Sequence, residues 1–170
     1  RLPVALTRLP LIESCFNVHA YSKLGAAGVW QFMPATGRLF MRVGDTVDER
    51  RDPIAATRGA ARFLGGMHDS LGSWPLAVTG WNHGPEGVAR AVRTVGTRDI
   101  GQIIRDYRGS SFGFASRNFY AEFIAALDAD DYRDAYFGHQ AVVPFPRARE
   151  FPIEHPVGIG VAARLANTDK

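Results

Sequence analysis

The sequence predicts an all-helical domain over residues 1–137 followed by an extended, proline-rich tail over residues 138–170. Three observations carry that reading. Apolar residues recur at helical spacing in segment after segment, as at Thr57, Ala60, Ala61, Leu64, Met67 and Leu71. Strand-type alternation is absent before Gly138. Helix start and stop signals punctuate the chain at short intervals, with Asp52-Pro53 the strongest start and Gly84-Pro85 both a break and a new start.

The first helix is expected from about residue 3 to 14, with Leu2, Ala5, Leu6, Leu9, Ile12 and Phe16 on its buried face. Pro3 suits a first turn, whereas Pro10 falls where it should kink or interrupt the helix. Asn17 to Gly28, rich in small residues and glycine, reads as a returning loop. Pro34 begins a short helix to about Phe40, and Gly44 to Arg51 is a polar connection. Asp52 caps a helix that ends at Gly72, and Ser73 caps the next, Trp74 to about Asn82. That segment is apolar nearly all round, so it should be central. Further helices follow at Glu86 to Val95, from Asp99 to Tyr107, and from a Ser116 cap through Phe119, Tyr120, Phe123, Ile124 and Leu127. Beyond Gly138 the prolines at 144, 146, 152 and 156 favour extended backbone, wrapping on the domain or linking onward.

A chain of 170 residues is the size of one domain and buries about 70% of its unfolded surface, enough for a core without disulfide or metal. The single cysteine, Cys15, excludes an intrachain disulfide and is expected to be a small buried hydrophobe. No apolar run is long enough to span a bilayer. The N-terminus carries no basic-plus-apolar leader, which reads as an excised or processed fragment and leaves the compartment open. The net charge of +3 is mild and its basic residues are dispersed, which argues against nucleic acid as a partner. None of the five histidines has metal-ligand spacing, so neither metal nor cofactor is expected.

Glu13, beside the apolar face near the end of the first helix, is the carboxylate best placed for chemistry. Partial desolvation there raises a glutamate's pKa and keeps a proton available for donation near neutral pH. The acids Asp45, Asp48, Glu49, Asp52 and Glu86 fall in polar connections or caps instead. Two further stretches follow it, Gly25-Ala26-Ala27-Gly28-Val29-Trp30-Gln31-Phe32-Met33-Pro34 and Thr79-Gly80-Trp81-Asn82-His83-Gly84-Pro85. Together with Leu9 to Asn17 they resemble, in order and spacing, the catalytic motifs of the family 1 lytic transglycosylases, goose-lysozyme-like enzymes that cleave bacterial cell-wall glycan. The resemblance covers roughly residues 2 to 128 and is nearest the membrane-bound type D branch.

That resemblance implies a lysozyme-like (goose-type) helical fold, peptidoglycan strands as partner, and a periplasmic or cell-envelope location. It leaves room for further cell-wall-binding domains outside this sequence. It also implies that Glu13 alone protonates the bond between N-acetylmuramic acid and N-acetylglucosamine and then acts as base on the muramoyl 6-hydroxyl, forming a 1,6-anhydro end. One carboxylate can suffice where the substrate's 2-acetamido group assists. Ser14 and Asn82 are implied as partners of the acid and the acetamido group, Gln31 as a partner of sugar hydroxyls, and Gly28 as a point of close backbone approach. Trp30, Phe32 and Met33 are candidates for apolar walls or for core, Trp81 for a wall beside Glu13, and His83 for the cleft lining. Trp81 stands where the family has tyrosine, and in the fourth region Phe119 takes the tyrosine position with Tyr120 next, itself a candidate for substrate binding. A hydrolytic goose-type muramidase and a glycan-binding module without catalysis are the alternatives.

Overall fold

In the computed structural model, residues 2–139, 141 and 155–166 are described. The chain divides into two units, residues 1–138 and 139–170. In the first, a 3-10 helix, Val4–Arg8, leads into α1, Leu9–Ser14. The sequence places a helix over about residues 3 to 14 with a kink or interruption at Pro10, and the change from 3-10 to α-helix falls there: Pro10, in the first turn of α1, has no N–H to carry an α-helical ladder back into Val4–Arg8. The next elements are α2 (Pro34–Gly37), α3 (Pro53–Leu71), α4 (Trp74–His83), α5 (Pro85–Val95), α6 (Ile100–Asp106), α7 (Phe114–Asp131) and α8 (Arg133–Phe137). The described residues form isolated β-bridges, such as Tyr21 with Ala27, but no strand.

The caps read from sequence are in place. Asp52 accepts from the backbone N–H groups of Ile54 and Ala55, Ser73 from Leu76, and Asp99 from Gln102, each satisfying donors that a helix start leaves open. Ser116 is the exception. The helix begins two residues earlier at Phe114, and Ser116 lies buried inside it.

Helix α4 is central, packed against α3, α5 and α7, while α1 lies along α7. Its Leu76, Ala77, Val78, Thr79 and Gly80 are all buried, as an all-round apolar helix requires. Leu6 and Leu9 join this core, but Leu2 and Phe16, expected on the same buried face, are exposed. Cys15 is exposed as well. Both departures at this end have one cause. α1 stops at Ser14, and Cys15 and Phe16 take left-handed backbone angles (φ 50° and 59°), which turns their side chains off the helical stripe.

In the second unit, Ile159–Ala166 forms a helix, α9, where the sequence reading has extended backbone. The last proline of the tail is Pro156, and the alanine-rich stretch beyond it carries none. The other proline-punctuated positions, 142–154, lie outside the described residues.

Candidate active site

The turn that follows α1 brings the first two motifs together. With Cys15 and Phe16 reversing the chain, the Ser14 hydroxyl donates to the Val29 carbonyl at 2.8 Å. Ser14 therefore ties the Glu13 helix end to the loop from Asn17 to Met33, and its hydrogen bond goes to backbone.

That loop is held from below by a residue the sequence reading left among the dispersed basic ones. Arg50 is 3% exposed. Its guanidinium donates from Nε and Nη2 to the two carboxylate oxygens of Asp48 at 2.9 and 2.7 Å, and from Nη1 to the carbonyls of Gly25 and Phe32 at 2.7 and 2.8 Å. One planar fork thus satisfies a carboxylate and two loop carbonyls. Its own backbone packs as tightly. Gly28, at φ +73°, has the Arg50 carbonyl oxygen 1.9 Å from where a Cβ would sit. The backbone that comes close at buried Gly28 is thus that of Arg50.

Gln31 also has a left-handed angle (φ 46°), and its amide Nε2 donates to the carbonyls of Gly28 at 2.8 Å and Ala20 at 3.4 Å. A non-glycine residue held in this region marks a geometry imposed by its surroundings. Both amide protons brace the loop, and Oε1 takes no hydrogen bond among the described residues.

Trp81 connects this loop to α4. Its indole, half-buried, lies 5.0 Å from the Phe32 ring and 5.6 Å from each of Trp30 and Phe63. Phe32, at 2% exposure, belongs to the core, so it is no wall of an open cleft; Met33, at 42%, is free of the core. Trp30 is buried and donates its indole N–H to Thr57 at 2.8 Å. The Trp81 indole instead acts on Glu13, where its hydrogen-bonding influence lowers the carboxyl's pKa.

Glu13 itself is half-buried at the end of α1. Burial pushes its pKa up to about 7; the Trp81 hydrogen bond pulls the other way, and the negative charge of Glu122 on α7 adds a further upward push. Glu122 is thus a second carboxylate within electrostatic reach, one that sequence reasoning missed because it sits on the exposed face of α7. A group with a pKa near 7 is suited to give a proton and take one back.

The third motif opens on a cavity of about 650 Å³ lined by Asn82, His83, Phe63, Glu86, Arg90 and Ser116, among others. Asn82 is exposed to it, and its Oδ1 accepts from the buried Ser116 hydroxyl at 3.2 Å. His83 Nδ1 lies 3.0 Å from the same hydroxyl. Burial and the nearby Arg90 hold the His83 pKa below its ordinary value, which favours the neutral imidazole at pH 7. Glu13 is not among the residues lining this cavity; Trp81, the partner of Glu13, packs against Phe63, which lines it. Tyr120 is half-buried against the core. Among the described residues no cluster of three or more His, Cys, Asp or Glu is gathered as a metal would need, and no helix is long and apolar enough to cross a membrane.

The Trp81 indole has two separable effects. Trp81→Phe keeps a ring in the aromatic cage but removes the N–H that stabilises the charged carboxylate, so the Glu13 pKa should rise above 7. For a reaction that needs Glu13 protonated, the high-pH limb of kcat/KM should then move upward. A limb that stays in place would show that the indole does not hydrogen-bond the acid. Trp81→Ala should in addition destabilise the fold by about 2–3 kcal/mol, below the 3–5 kcal/mol typical of a fully enclosed ring.

Residues 2–104 match the family described as "Transglycosylase SLT domain". Over 95 residues the chain is 37% identical to "Membrane-bound lytic murein transglycosylase D" of Escherichia coli (strain K12), an alignment covering 55% of this chain and 21% of that protein. The same figures hold for the protein of that name from strain CFT073. A protein of Alteromonas sp. (strain M-1), named for tributyltin chloride resistance, is 38% identical over 96 residues, covering 55% of this chain and 46% of its own length. The matched part therefore spans less than half of each of these relatives.

Proposed function

The chain belongs to the transglycosylase SLT domain family, and from that membership we propose that it is a peptidoglycan lytic transglycosylase with Glu13 as its single acid and base. The observation that carries the assignment to this residue is a half-buried carboxyl with a pKa near 7, supplied with one N–H donor at the junction of the three motifs. Its substrate would be the β-1,4 bond between N-acetylmuramic acid and N-acetylglucosamine.

In this reading protonated Glu13 gives its proton to the glycosidic oxygen as that bond breaks, and the 2-acetamido oxygen of the muramoyl residue supports the developing positive charge at the anomeric carbon. The carboxylate left behind is stabilised by the Trp81 N–H. It then takes the proton of the muramoyl 6-hydroxyl as that oxygen bonds to the anomeric carbon. The product is a 1,6-anhydro end, the acid is restored and no water is consumed. Asn82, exposed and fixed through its Oδ1, offers its Nδ2 protons to a substrate carbonyl, and Gln31 offers Oε1 to a sugar hydroxyl. Such a substrate places the protein in the cell envelope, and the greater length of its relatives is consistent with additional domains.

Glu122 favours a second reading, hydrolysis, in which this nearby carboxylate orients a water on the anomeric carbon. Mass analysis of digested cell wall separates the possibilities. Transglycosylation gives ends lighter by one water, hydrolysis gives reducing ends, and a binding module gives no cleavage. Under the proposed mechanism Glu122→Gln leaves the anhydro product in place; reducing ends from the parent that vanish in this variant would establish the hydrolytic reading instead.

A further inference from the structure

We propose that Ser116 and His83 act as positioning residues for Asn82, setting the polarity of its amide so that the Nδ2 protons donate into the cavity. The proposal deepens the functional reading above and rests on it for the identity of the acceptor, a substrate acetamido carbonyl.

A hydroxyl has one proton to give. Ser116 is 7% exposed, and its Oγ lies 3.2 Å from Asn82 Oδ1 and 3.0 Å from His83 Nδ1. If the hydroxyl proton goes to Asn82 Oδ1, the Ser116 oxygen must accept, and the only donor facing it from His83 is an Nδ1–H. The neutral imidazole then carries its proton on Nδ1, the less common tautomer of a free histidine, and Nε2 is bare. The opposite arrangement would turn every bond round, with Asn82 donating to Ser116, Ser116 to His83 Nδ1, and Asn82 Oδ1 presented to substrate. The two arrangements read opposite chemistry, a carbonyl in the first case and a hydroxyl in the second.

The ring has little freedom to leave the relay. The Phe112 ring meets it edge-on at 4.9 Å between centroids, and its Cδ2 and Nε2 edge lies 2.6 Å from where a Cβ on Gly87 would project. Only glycine at 87 leaves room for this imidazole. Phe112 is itself held, since Arg117 donates to its carbonyl and places the guanidinium 5.6 Å from its ring centre. His83 is thus clamped by α5, by the turn before α7 and by Ser116, with Asn82 as the one exposed end of the chain of hydrogen bonds.

The test reads the tautomer directly, by long-range proton–nitrogen correlation of the His83 ring in the folded protein near neutral pH. The parent should show Nδ1 protonated, and Ser116→Ala should revert to Nε2–H. In turnover of peptidoglycan, Ser116→Ala should lower kcat about tenfold, the scale of one hydrogen bond, with KM nearly unchanged. Ser116→Thr, which keeps the hydroxyl, should restore both tautomer and kcat. A parent spectrum with Nε2–H overturns the relay whatever the variants do, as does Nδ1–H that persists in Ser116→Ala, or an unaltered kcat. A parent that shows Nδ1–H but cleaves no glycan sinks the functional reading and leaves the relay standing on its spectrum.

Discussion

Glu13→Gln should abolish turnover of cell-wall glycan by a factor of 10² to 10⁴, the usual worth of a general acid, while raising the stability of the folded protein at alkaline pH. The second effect follows from the same burial as the first. The Glu13 pKa stands at about 7 against an ordinary value of 4.5, so between these limits the folded state holds a proton that the unfolded state has lost. Stability from the protonated carboxyl is therefore complete below about pH 4.5 and is lost as pH rises through 7, an amount on the order of 3 kcal/mol. Glutamine carries no charge at any pH and escapes that loss. The melting temperatures of parent and variant should nearly coincide at pH 4.5 and separate by several degrees at pH 8, with the variant higher. A difference that does not change with pH would mean that Glu13 is not desolvated, and residual turnover above about a hundredth of the parent would move the acid elsewhere.

Why so much of this site can be read from sequence, and why part of it cannot, is visible in individual residues. Glu13, the loop of Gly28 and Gln31, and the pair Trp81-Asn82 lie in short contiguous motifs, so chain order and spacing identify them. The helices are legible for a similar reason, because caps such as Asp52 and Ser73 and the all-apolar run of α4 are local patterns. Ser116, by contrast, looks like a helix cap in sequence; only the packing of α7 on α4 brings it to Asn82 and His83, more than thirty positions earlier. Phe32 lies in the motif yet belongs to the core, since alternation in a loop does not say which face is enclosed. Cys15 and Phe16 follow the helical stripe in sequence and leave it in space, because their left-handed backbone closes the helix, with both of their N–H groups donating to the Pro10 carbonyl.

The residue least legible in sequence should be the one on which the folded site most depends. Arg50 is one basic residue among 20, and it stands in a stretch that reads only as a polar connection. In space its guanidinium is enclosed and satisfies Asp48 and the carbonyls of Gly25 and Phe32, the two ends of the stretch that contains Gly28 and Gln31. Arg50→Met fills part of the volume but takes the guanidinium from all its acceptors, leaving the Phe32 carbonyl only the Ala27 N–H and Asp48 only the backbone N–H of residue 50. The guanidinium is buried while Asp48 is partly exposed, so losing it should cost about 3 kcal/mol, the low end of what breaking a buried ion pair costs, read as a lower denaturation midpoint with the slope unchanged. Arg50→Lys should recover only a fraction, since an ammonium keeps the charge but lacks the planar fork that reaches four acceptors at once. The Asp48 pKa is depressed chiefly by its hydrogen bond to this guanidinium, so the pair's contribution is present at neutral pH and disappears as pH falls through the carboxylate range. The gap in stability between parent and Arg50→Met should accordingly narrow in acid. Activity should fall along with stability even at temperatures where Arg50→Met is fully folded, because the loop that Ser14 and Gln31 hold against Glu13 loses its support from below. An Arg50→Met protein with parental stability and parental turnover would show that the loop needs no such support, and that the geometry around Glu13 is fixed by the Ser14 and Trp81 contacts alone.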